Sequence, residues 1–71
     1  MKVDGYRLIL ASSGGERDGI ALELDRDADG EQVAEVFEDG ATGARTFRCY
    51  TDQPVPVEAI EWLIAQAQTH L

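Results

Sequence analysis

The chain predicts an α+β domain, a four-stranded antiparallel β-meander in the order 1-2-3-4 packed on one face by a single C-terminal α-helix. Three observations carry this reading. Asp-Gly occurs at Asp4-Gly5, Asp18-Gly19, Asp29-Gly30 and Asp39-Gly40, and this dipeptide suits turns whose backbone needs positive φ. Between these turns the apolar residues alternate with the period of two that a half-buried strand shows. Beyond Pro54 and Pro56 the apolar period lengthens to that of a helix.

The first strand is expected near residues 6–11, with Tyr6, Leu8 and Leu10 on one face. The second is expected near 20–25, with Ile20, Leu22 and Leu24 together. In the third, near 32–38, Val33 and Phe37 share a face with Glu35 while Val36 falls with Ala34, so its inward face stays open. The fourth, near 45–50, turns Phe47 and Cys49 inward and leaves Thr46, Arg48 and Tyr50 on the other side. Short connections make successive strands antiparallel neighbours.

Pro56 suits the first position of a helix, where its missing N–H costs nothing. The helix is expected near 56–70, with Glu58 and Glu61 near its start and His70 near its end matching the macrodipole. At 3.6 residues per turn, Val57, Ile60, Leu63, Ile64, Ala67 and Leu71 form the stripe expected to cover the sheet. Trp62 falls on the far side with Glu58, Ala65, Gln66 and Thr69.

Seventy-one residues make one domain with a thin core, because a chain this short hides only about 60 % of its unfolded surface on folding. The single cysteine, Cys49, excludes an internal disulfide, so self-association is the natural substitute for a staple. The start, Met1-Lys2-Val3-Asp4-Gly5, does not resemble a secretory leader, and no apolar run approaches the ~20 residues of a membrane-spanning helix. A cytoplasmic protein without membrane contact is the expectation. Fourteen acidic against six basic side chains give a net charge of −8, which repels phosphate backbones and favours a basic protein partner.

No catalytic constellation stands out, and a non-enzymatic protein-interaction module, working as a homodimer and using no cofactor, is the expected function. The contact is expected on the outer helix face, with Trp62, Ala65, Gln66 and Thr69, or on an edge strand. Ile9 and Tyr50 on the outer sheet face are further candidates.

Other patterns weigh less. Asp25, Asp27 and Asp29 are spaced like the first half of a calcium loop, but the twelfth position is Val36 where that loop needs a bidentate Glu. An acidic hairpin turn explains the same letters. Arg7, Arg48 and Tyr50 on an open sheet face suggest single-stranded nucleic acid, against which both the acidic balance and the placement of the two arginines on opposite edges argue. Cys49 and His70 would have to join across the sheet–helix interface to act as nucleophile and base, but Cys49 reads as a small core residue and His70 stands one residue from a terminus prone to fray. Ser12-Ser13-Gly14-Gly15 reads as a hairpin connection rather than an anion cradle, since no helix follows it. Glu35 with Glu38, and Glu58 with Glu61, read as solvated surface pairs.

Overall fold

The computed structural model describes residues 2–13 and 18–71. Four strands, β1 (Tyr6–Ser13), β2 (Gly19–Arg26), β3 (Gln32–Asp39) and β4 (Arg45–Cys49), are followed by one helix, α1 (Val57–His70). The strands form one antiparallel sheet in the order β1-β2-β3-β4. The meander with one covering helix is therefore the fold. Of the hairpin connections, the one through residues 14–17, including Gly14 and Gly15, lies outside the described residues. At Asp29-Gly30 the glycine takes φ of 69° and donates its N–H to the Arg26 carbonyl at 2.8 Å, the tight turn that Asp-Gly announces.

Register decides which side chains share a face. Leu8 lies opposite Leu24, which lies opposite Ala34, which lies opposite Cys49; the next row is Leu10, Leu22, Val36 and Phe47. This is the face α1 covers. The core gathers Leu22, Leu24, Val33, Ala34 and Val36 from the sheet with Ala59, Trp62, Leu63 and Ala67 from the helix, and Tyr6, Leu8 and Ile60 pack around it.

The open question about β3 has a specific cause. Pairing shifts between Leu24, opposite Ala34, and Asp25, opposite Gln32, so Val33 has no partner on β2. A bulge of this kind lets neighbouring residues turn to the same side. Val33 and Ala34 are both fully buried in the core, which breaks the simple alternation that the letters display.

The helix is turned relative to the expected stripe. Ala59, Trp62, Leu63 and Ala67 are its buried residues, whereas Val57 is 68 % exposed and Ile64 is also exposed. The buried face is centred about 90° around the axis from the stripe counted on apolar letters alone. Two alanines in that face allow the helix to sit close to the sheet, and Trp62 then fills the flank on one side as Ile60 does on the other. Pro56 stands one residue earlier than expected, as the N-cap, with φ −55° and ψ 136°, and its carbonyl accepts the Ala59 N–H at 3.0 Å.

Strand ends also differ from expectation. β1 runs on to Ser13, and β4 stops at Cys49, leaving Tyr50 outside the strand although its N–H still donates to the Val33 carbonyl at 2.9 Å. Phe47 and Cys49 do lie on the helix side, yet both are exposed, Phe47 by 50 %. Only β2 and β3 make extensive contact with α1, so β4 projects beyond the helix.

Candidate interaction surface

Trp62 does not stand on an outer face. It is 9 % exposed and belongs to the core cluster, so its company of Glu58, Gln66 and Thr69 in the helical count is a flank of the buried face. Ala65 and Thr69 are exposed and Gln66 is half-buried, its Oε1 held 3.2 Å from Nε2 of His70. Without the tryptophan this helix surface has no aromatic anchor.

On the sheet face away from α1, Ile9 is exposed on β1, and Tyr50 is exposed just past the end of β4, at the opposite edge of the sheet. Between them Glu23 of β2 lies opposite Glu35 of β3, and Asp25 lies beside them. Arg7 is opposite Asp25 and Arg48 is opposite Glu35, so the two arginines flank carboxylates and form no continuous basic track. A nucleic-acid strand laid across this face would meet acid at its centre.

Two of these acids are buried. Glu35, expected at the surface, is 3 % exposed, and its Oε1 accepts a hydrogen bond from Nε2 of Gln32 at 3.2 Å. Asp25 is 6 % exposed; its Oδ2 lies 4.0 Å from Nη2 of Arg7, and its Oδ1 has no hydrogen-bond partner among the described residues. The aspartates of the calcium-like spacing are dispersed among local partners. Asp27 takes Nη1 of Arg7 at 3.0 Å, while Asp29 accepts the Glu31 N–H at 3.1 Å and faces Nε of Arg26 at 3.3 Å. Among the described residues no three His, Cys, Asp or Glu side chains are grouped to hold a metal ion.

Arg26 ties this end of the molecule together. Besides Asp29 it donates to Oε2 of Glu31 at 3.2 Å and to Oε1 of Gln53 at 3.0 Å, joining the β2–β3 turn to the segment that leads into α1. The hydrogen bond from Glu31 N–H, with the nearby Arg26 charge, holds the Asp29 carboxyl below the usual range. At the other end of the sheet the N–H groups of Ala41 and Thr42 do the same for Asp39. Both acids organise turns.

Cys49 and His70 have separate partners. Sγ of Cys49 donates to the Thr51 carbonyl at 3.5 Å, and the imidazole is engaged with Gln66. The described residues enclose no pocket.

What the fold leaves open is backbone. Asp27 N–H donates to the Gly5 carbonyl, which sets the phase of the β1–β2 ladder. Alternation then directs the backbone groups of Arg7, Ile9 and Ala11 toward β2, and those of Leu8, Leu10 and Ser12 outward. The same argument from Tyr50 N–H and the Val33 carbonyl directs Arg45, Phe47 and Cys49 outward from β4. Leu10, 56 % exposed, and Phe47 stand at the two ends of the row that passes through Leu22 and Val36, beyond the cover of the helix. This edge surface was legible in the strand pattern, but only the register shows which groups it offers.

The chain is thus a small α+β domain in which the described residues assemble neither a catalytic constellation nor a metal site. No protein-family model, curated protein or solved structure matches it.

Proposed function

We propose that this chain is a non-enzymatic protein-interaction module that self-associates through an open edge of its sheet. The observation that supports this reading is the state of the two edges. Among the described residues, each is paired with a strand on one side only and carries a large exposed apolar side chain, Leu10 on β1 and Phe47 on β4. Edges of this kind pair readily with another strand unless charge, proline or a bulge blunts them. Both edge strands also lack carboxylates, although the chain carries a net charge of −8. A second copy therefore meets the least like-charge repulsion along its edges.

With Trp62 buried, the sheet edges support the proposed contact better than the helix does. Strand addition also suits a domain of this size, since it gains hydrogen bonds and apolar contact without a second layer. The test is sedimentation over a range of concentration, with Leu10→Lys as the comparison. A dimer that the lysine variant dissociates, while the variant keeps the far-UV circular dichroism spectrum of the parent, is the expected result. A monomer at about millimolar concentration, where even weak dimers form, overturns self-association and leaves a basic protein as the partner the surface charge would favour.

A further inference from the structure

Resting on that reading, we infer that the partner strand is β1 of a second copy, paired antiparallel about a two-fold axis at Ile9, so that two sheets join into one. β1 is the less protected edge. It is eight residues long, and residues 8–13 carry no charge and no proline. β4 has five residues, two of them arginines, so pairing it with its own copy would bring four guanidinium groups onto one short seam.

The register follows from the backbone and the side chains together. The outward groups of β1 belong to Leu8, Leu10 and Ser12. A two-fold axis at Ile9 sets Leu8 opposite Leu10 of the second copy, in hydrogen-bonded pairs that use those outward groups. Ile9 then faces Ile9, Arg7 faces Ala11, and Tyr6 faces Ser12. Leu8, Ile9 and Leu10 each meet an aliphatic residue, and no two like charges oppose each other. Moving the axis to Leu10 would instead set Leu8 against Ser12.

The pairing also accounts for exposure that the single chain leaves unexplained. Leu10 lies beyond the helix on the covered side of the sheet, and Ile9 is exposed on the opposite side. In the joined sheet Leu10 gains Leu8 of the second copy as its neighbour, and Ile9 gains its own counterpart. Both faces of the seam are apolar. The Arg7 side chain stays paired with Asp27 at each end of the seam.

Cysteine cross-linking reads this register directly. The Ile9 pair is of the non-hydrogen-bonded type, with Cα atoms about 4.5 Å apart, which lies within the range a disulfide spans. In a Cys49→Ser background, Ile9→Cys should therefore form a covalent dimer in a glutathione redox buffer. Ser12→Cys, displaced from its own copy along the seam, should form roughly tenfold less under the same conditions.

Sedimentation of the native chain accompanies the cross-linking. Equal cross-linking at both positions indicates random collision and overturns the pairing. A native dimer in which Ile9→Cys does not cross-link overturns the β1 register while leaving self-association intact. A native monomer removes self-association itself, and the pairing with it. Selective cross-linking at Ile9 in a native dimer is the expected result.

Discussion

Replacing Trp62 with alanine removes the largest side chain of the helix from a position that is 9 % exposed, and such a change costs about 3–5 kcal/mol. A urea titration should show the midpoint falling with little change in association. Val57→Ser or Ile64→Ser, by contrast, alters residues already in solvent and should shift stability by less than about 0.5 kcal/mol. Counting apolar letters reverses these assignments. Val57 and Ile64 are strongly apolar, and Trp62 keeps polar company in the sequence, but the two alanines decide which side approaches the sheet. Alanine carries a weak hydrophobic signal and a strong steric one, so the rotation of α1 was not visible in composition. Glu35 was misplaced for a related reason. Its face is uncovered by the helix, yet it lies in an interior strand, and neighbouring strands bury it.

At the scale of elements, the turns were legible in part: Gly5 and Gly30 take the positive φ that Asp-Gly favours, whereas Gly19 lies within β2 and the positive φ after β3 falls at Gly43 rather than at Gly40. Asp29 and Asp39 accept backbone N–H groups that hold their folded pKa values below the ordinary 3.8. A carboxylate with a depressed folded pKa stabilises the fold above its unfolded value, and this contribution is lost as pH falls through the folded pKa. Unfolding midpoints should therefore hold from neutral pH down to about 5 and then decline below about 4. Asp39→Ala should weaken that acid dependence, and an undiminished dependence in this variant would point to other acids.

Gly19 tests the sheet in another way. A Cβ there would collide with the Glu38 carbonyl oxygen and the Phe37 ring, and the carbonyl is main chain with little freedom to move. Gly19→Ala should cost about 1–3 kcal/mol by equilibrium unfolding. The bulge at Val33 is the element the letters concealed. It changes which residues face inward without leaving a composition signal, and the mixed alternation of β3 was its trace.

For the molecule as a whole, the meander and its order were readable from short connections and alternating strands, whereas which apolar side chains stay exposed was only partly so. The sequence pointed to edge strands and to Trp62 alike. Packing buries Trp62, and of the two sheet edges β1 is the longer and is free of charge beyond Arg7. On the proposed reading, covering such an edge with another copy would supplement a thin core that no disulfide staples.

Amide hydrogen exchange along β1, followed as concentration rises, tests the central claim most directly. In the single chain Arg7, Ile9 and Ala11 donate to β2, while the N–H groups of Leu8, Leu10 and Ser12 face solvent. Pairing through β1 predicts that Leu8, Leu10 and Ser12 become protected together as the dimer forms. Exchange at these three amides that stays fast in a sample sedimenting as a dimer would contradict it.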